Sequence, residues 1–371
     1  MQDAGGHADA HAAAARRGYQ RHEPEKTVLY QIVADNLETF LEEVRNRYDK
    51  PLPAYVEKEL REFIRCGLLQ YGFVAAKCRA CGRTVLVALS CKRRGPCCTS
   101  CGARRMCNEA AHVVDHVIPR IPVRQFVLSV PFELLLLLAS RANAFGAVTS
   151  IFMQEVFRWQ RERAREAGLH NPRSGAVAMQ HRGGSSLNIH PHIHAVVPDG
   201  IFSRPDPDGR AEFHPLRAPE SDDLEEILFN VHQRLRRWLG RHGLLKSETG
   251  DDFSNETLEL SALDACAQGS LGLSNLITVR NKPNSPHERD ADEHRFERRG
   301  SQARVAERDG YSLYAGEVIP GSDREACERL PRYCLRPRLS LERLSLGRDG
   351  SVIYQVKATR RGKATQRVGT L

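Results

Sequence analysis

The stretch NIHPHIHAVVP at residues 188–198 sets three histidines two apart inside an apolar run. Successive side chains of an extended strand point to opposite faces, so His190, His192 and His194 project together and Ile189, Ile193 and Val197 go to the other side. A surface strand with solvated histidines is the alternative. Three imidazoles at period two are unusual in such a strand, and imidazole is the commonest transition-metal ligand, so the row reads as a metal-binding edge.

Working outward, RQFVLSV at 124–130 is β-rich and stops at Pro131, while 175–181 and 187–197 read as neighbouring strands joined across Gly183 and Gly184. A helical pattern covers Leu134 to Ala167, interrupted near Gly146. Strand, helix and strand pair predict an α+β fold, with helices packed on one face of a mainly antiparallel sheet. Upstream, 27–44 and 54–69 carry apolar residues at helical spacing, separated by Pro51 and Pro53, which predicts a helical hairpin. Further helices are expected over Met106–Val117, Leu224–Arg241 and Asp323–Leu335, and strands over Tyr311–Val318 and Val352–Val356. The expected organisation is a flexible arm (1–26), the helical hairpin (27–77), a cysteine-rich ribbon with a linking helix (78–118), the sheet domain (119–360) with a charged insertion near 282–308, and a basic tail (361–371).

The 371 residues hold 55 Lys and Arg against 46 Asp and Glu, a formal net charge of +9 and a pI near 9.1. That balance points to a polyanionic partner, nucleic acid first. No run reaches the length of a membrane span and the N-terminus lacks the apolar centre of a secretory signal, so a cytoplasmic protein is expected, nucleoid-associated when bound to DNA.

Seven of the eleven cysteines fall between Cys78 and Cys107. Cys78 with Cys81 and Cys98 with Cys101 form two C-x-x-C knuckles, the spacing of a zinc ribbon, in which four thiolates surround one structural Zn²⁺. Cys91, Cys97 and Cys107 are left over, and Cys97 beside Cys98 leaves the choice between those two open. Around the cluster Arg93, Arg94, Arg104 and Arg105 are candidate phosphate contacts.

The alternating histidines resemble the histidine, hydrophobe, histidine motif of HUH endonucleases, which hold Mg²⁺ or Mn²⁺ against a scissile phosphate and cleave single-stranded DNA through a tyrosine. Of nine tyrosines, Tyr333 is the best placed, late in a helical segment among Arg329, Arg332, Arg336 and Arg338, where positive charge favours phenolate and phosphate. With RCG at 65–67, SCKRRG at 90–95, SCGARRM at 100–106, VRQFVLSVP at 123–131, SLN at 186–188 and RYCLRP at 332–337, the chain resembles the zinc-ribbon HUH transposases of rolling-circle insertion sequences, the insertion sequence 91 group and its common-region relatives. The resemblance runs from Thr27 to Lys357.

That resemblance implies His192 and His194 as the ligands of the catalytic Mg²⁺ or Mn²⁺, with His190 a bystander, and Tyr333 as the nucleophile that forms a 5′-phosphotyrosine and transfers the strand at transposon ends. Arg332 and Arg336 join the DNA contacts. The third ligand is open, with Gln180 and Asp199 as candidates. Arg329 stands where two-tyrosine members carry their second tyrosine, so the chain resembles the single-tyrosine subgroup. The second knuckle is one residue longer than the family pattern, and 362–371 holds no apolar element where members continue, so a shortened C-terminus is expected. A replication initiator of the same chemistry and a non-catalytic zinc-ribbon DNA-binding protein are the alternative readings.

Overall fold

A computed structural model describes residues 21–79, 81–93, 97–184, 187, 189–204, 209–244 and 304–356, together with the backbone of 366–369. Most of the expected arm, most of the charged insertion and most of the basic tail lie outside these residues. The chain divides into two compact units, one holding the N-terminal residues to Gly102 and the other chiefly Ala103–Arg343.

In the first unit, α1 (Val28–Tyr48) starts where the Thr27 hydroxyl accepts the Tyr30 N–H at 3.3 Å, and it ends at Asp49 in the left-handed conformation. After α2 (Ala54–Phe63) come two antiparallel strands, β1 (Phe73–Lys77) and β2 (Thr84–Ala88). The helical hairpin expected from the two apolar patterns is thus followed by a β-hairpin. Helix α3 (Thr99–His112) begins at the second cysteine knuckle and closes in a π-turn over Val113–Val117.

The second unit is built on a five-stranded, wholly antiparallel sheet in the order β4 (Val177–Gly183), β5 (Ile189–Pro198), β3 (Val123–Ser129), β9 (Tyr311–Ile319), β8 (Arg304–Arg308). A separate short hairpin pairs β6 (Gly200–Ser203) with β7 (Glu212–Pro215). Asp309 and Gly310, both at positive φ (49° and 79°), form the two-residue turn between β8 and β9, the backbone that matches the twist of paired strands and that Asp-Gly favours. β8 occupies the end of the span read as a charged insertion: from Arg304 onward that span is sheet, paired with β9 and burying Ala306 in the core.

Helices cover both faces of this sheet, not one. Phe126, Leu128, Ile193, Ala195, Leu313 and Ala315 point to α4 (Phe132–Ser140), α5 (Ala142–Glu166) and α6 (Ser221–Arg241), forming the main core. Val123, Val196 and Met179 point the other way, to Val114, Ile118 and the buried Cys327, Leu330 and Cys334 of α7 (Arg324–Leu335). The long helical pattern breaks at Arg141 rather than at Gly146. Arg141 is extended (φ −112°, ψ 104°), the two helices bend by 118°, and Gly146 continues the second one. No single helix among the described residues is long and apolar enough to cross a membrane.

Leu128 is fully buried in the central strand, opposite Ile193 on one side and Leu313 on the other. Leu128→Ala is expected to cost about 2–5 kcal/mol of unfolding free energy by emptying that site. Urea titration followed by tryptophan emission measures it, and a cost below the level of a surface change contradicts this account of the core.

Candidate metal and nucleophile sites

The row of histidines sits on β5 as its period predicts, and its face is decided by the core. Ile193, Ala195 and Val197 take the face of the main core, so His192 and His194 turn toward α7. Both are almost fully buried. A third imidazole meets them. In the β4–β5 ladder His181 stands opposite His192, and its ring lies 4.8 Å from that of His192 and 4.6 Å from that of His194. One ligand nitrogen from each of the three lies within 4.8 Å of the others, while His190, whose ring is 5.0 Å from that of His192, stays outside this group.

Hydrogen bonds orient the rings. His192 donates its Nδ1–H to the His190 carbonyl at 2.7 Å, and His181 donates its Nε2–H to the carbonyl of Cys334. Carbonyl oxygens only accept, so both remaining nitrogens, His181 Nδ1 and His192 Nε2, carry lone pairs, and they face each other at 3.1 Å. Two lone pairs at that distance repel unless a proton or a cation lies between them. Burial, reinforced by the positive charge of Arg338, holds His181 well below the usual imidazole range. A neutral, lone-pair-bearing imidazole in a three-histidine group fits a metal ion. His194 Nδ1 meets the amide nitrogen of Gln125 at 2.7 Å.

Gln180, one of the two candidates for the third ligand, is one residue from His181 and therefore on the opposite face, where its amide donates to the Thr149 hydroxyl at 2.7 Å. Asp199 is engaged by the buried guanidinium of Arg124, with bonds of 2.7 and 3.0 Å. Neither belongs to the histidine group. His181 escaped the sequence reading because a single histidine in a strand has no period; only its alternation with Met179 and Val177, both apolar and inward-facing, hinted at its face.

Tyr333, in the last turn of α7, presents its ring edge-on to His194 with centroids 6.0 Å apart. The guanidinium of Arg336 lies 4.4 Å from the tyrosine centroid. Cys334, whose carbonyl receives the His181 proton, is the next residue. That carbonyl is one of the four that a helix C-terminus leaves without an intrahelical donor, so an imidazole caps the helix carrying the tyrosine. Of the other arginines, Arg332 pairs with Glu328 at 2.7 Å, Arg105 pairs with Glu109 at 3.3 Å and Arg104 is exposed. Arg93 is bound by Glu62, and Arg94 lies outside the described residues.

In the first unit the cysteines gather differently from the expected ribbon. Cys66, Cys91, Cys98 and Cys101 bring their sulfurs within 4.8 Å of one another. The Cys66–Cys101, Cys91–Cys101 and Cys98–Cys66 separations are 3.7, 3.6 and 3.6 Å. Four sulfurs about 2.3 Å from a tetrahedral zinc are about 3.8 Å apart, far longer than a disulfide, so the tetrad has the size of a Zn²⁺ site. Hydrogen bonds from Cys66, Cys91 and Cys98 hold the Cys101 thiol far below its ordinary range, and contact with Cys101 pushes Cys98 and Cys91 up. Four sulfurs at this spacing fit one tetrahedral cation, whose charge would let all four act as thiolates.

Cys78 and Cys81, expected as the first pair, are exposed and stand apart. They sit at the tip of the β1–β2 hairpin, where Cys78 N–H bonds to the Arg83 carbonyl, whereas Cys66 and Cys91 lie at its base, where Gly67 N–H bonds to the Leu89 carbonyl. The five paired residues between tip and base separate them by about 20 Å. Of the two neighbours, Cys98 joins the tetrad and Cys97 lies outside it, where burial pushes its thiol up to about 12.

Comparison with known proteins gives two family matches. Residues 33–130 match the transposase zinc-binding domain of the insertion sequence 91 type, and residues 175–370, more than half of the chain, match the family described as "Putative transposase". No curated protein and no solved structure matches the chain. With the tetrad of thiols inside the first match and the three imidazoles and Tyr333 inside the second, the chain belongs to the zinc-ribbon transposases of the insertion sequence 91 family.

Proposed function

We propose that this transposase nicks single-stranded DNA at transposon ends with Tyr333 and transfers the cleaved strand, using a divalent ion held by His181, His192 and His194. The observation that carries the reading is the seating of Tyr333 against His194, with His181 bonded to the carbonyl of the next residue. The ion, when bound, supplies Lewis-acid stabilisation of charge on the scissile phosphate. An all-imidazole donor set ranks a transition ion above Mg²⁺, so of the two ions expected Mn²⁺ fits better. Tyr333 Oη attacks phosphorus, its proton passes to solvent, and the P–O bond to the upstream sugar breaks. The products are a 5′-phosphotyrosine and a free 3′-OH. Attack by another 3′-OH on that phosphotyrosine reverses the step and joins the strands. Arg336, over the tyrosine ring, places a fixed positive charge where the phosphate enters.

The zinc assignment is part of the same proposal: Cys66, Cys91, Cys98 and Cys101 hold one structural Zn²⁺, and Cys78 and Cys81 do not. Cys66→Ser or Cys91→Ser is expected to lose stoichiometric zinc and to unfold the first unit, while Cys78→Ser keeps its zinc. Metal analysis of the purified variants decides. Zinc lost from Cys78→Ser and kept in Cys66→Ser restores the ribbon spacing.

Incubation with single-stranded transposon-end DNA and Mn²⁺ is expected to give a covalent protein–DNA adduct, visible as a denaturation-resistant band. Tyr333→Phe abolishes it, and His181→Ala, His192→Ala or His194→Ala lowers its rate by roughly 10³-fold or more through loss of the metal's stabilisation. Gln180→Ala leaves it unchanged. No adduct from folded wild-type protein sinks the enzymatic reading in favour of a DNA-binding protein, and an adduct in Tyr333→Phe moves the nucleophile elsewhere.

A further inference from the structure

The face of the sheet turned away from the histidines carries a groove of about 540 Å³ between α5 and α6. Ser150 and Gln154 line one wall; Arg234, Arg237, Trp238 and Arg241 line the other. The last four recur at helical spacing and so share one face of α6.

The three arginines are not equivalent. Glu155, itself buried, accepts from Arg158 at 2.8 Å and from Arg234 at 2.5 Å, so the charge of Arg234 is met inside the protein. Arg237 and Arg241 each donate Nε–H to the carbonyl one turn earlier, Gln233 at 3.3 Å and Arg237 at 3.4 Å. These bonds hold the stems and leave the terminal amino groups for another acceptor. Among the described residues neither arginine has a carboxylate within ion-pair distance. The C-terminal dipole of α6 accounts for a cation in its last turn. It does not account for a groove walled by three guanidiniums and an indole. Trp238 is half-buried and stacks on His242 at 4.1 Å, which stiffens the ring that lines the groove.

We propose that this groove is a second DNA contact, holding a single strand with successive phosphates on Arg237 and Arg241 and a base against Trp238. The volume lies in the range of sites that take one small molecule, about 300–1,000 Å³, and only an unpaired base reaches a ring set in such a groove. Because α5 and α6 cover one sheet face and Tyr333 sits on the other, the strand held here is a different segment from the one cleaved. The inference rests on DNA as the partner of this family and not on the chemistry of Tyr333.

The test uses the full zinc-loaded chain carrying Tyr333→Phe, with no Mg²⁺ or Mn²⁺ added, so that cleavage plays no part. The chain has two tryptophans, and Trp159 is buried in the core, so an oligothymidylate is expected to quench the emission of Trp238, and Trp238→Phe removes the quench. Arg237→Ala with Arg241→Ala is expected to weaken binding roughly ten-fold or more and to lower the slope of log affinity against log salt by about 1.4, the loss of two phosphate contacts on a single strand. Arg237→Lys with Arg241→Lys keeps the slope. Unchanged affinity and slope in an alanine variant of normal zinc content and circular dichroism overturns the proposal, as does oligothymidylate binding that leaves Trp238 emission unaltered. Equal competition by duplex DNA overturns the single-strand assignment.

Discussion

The register of one strand pair governs the second unit. Set as it is, the β4–β5 ladder puts His181 opposite His192 and Met179 opposite His194, with Ile193, Ala195 and Val197 buried on the far side. A slip of one residue would exchange the faces, driving three imidazoles into the main core and three apolar side chains toward α7. Apolar burial at 193, 195 and 197, at about 1.5–3 kcal/mol per large side chain, is what excludes that slip. The core therefore positions the polar site by packing its reverse side, and the histidines need no stabilising contribution of their own to be brought together.

Once the rings are assembled, backbone carbonyls decide their chemistry. The His190 carbonyl belongs to the same strand as His192, so that tautomer is set locally. The carbonyl that orients His181 comes from Cys334 in the last turn of α7, beside Tyr333. One hydrogen bond, from the ring nitrogen opposite the one turned toward His192, thus joins His181 to the helix that carries Tyr333. A shift of α7 would alter both, which ties the proposed ion's affinity to the position of the phenol oxygen.

The parts of this arrangement legible in the sequence were those written in local periods. The histidine strand, the α+β class, the helix ending at Leu335 and the tyrosine within it all follow from spacings of a few residues. What was not legible depends on pairings between distant segments. His181 has no periodic partner in β4, and its role appears only when the ladder sets it across from His192. Gln180 drew attention as a polar neighbour of the turn, but strand alternation sends it to the other face. Cys66 lies 25 positions before Cys91, and nothing in a C-x-x-C search couples them. The hairpin whose base holds Cys66 and Cys91 has the knuckle Cys78–Cys81 at its tip, so the spacing that looked most diagnostic marks a turn away from the tetrad.

Donor type and ligand number also keep the two sites chemically apart. On the proposed assignment, four thiolates at tetrahedral spacing would complete the coordination of Zn²⁺ and leave no position for water or phosphate, so the tetrad would hold the fold together and do no chemistry. Three imidazoles leave at least one position open, and here the side of the group nearest α7 is the side where Tyr333 and Arg336 lie. With both sites filled as proposed, thiolates would hold zinc more strongly than neutral imidazoles hold a weaker first-row ion, so the tetrad would be the last to lose its metal. Folding of the first unit would then precede loading of the histidines, and a chain short of metal would lose chemistry before it loses structure.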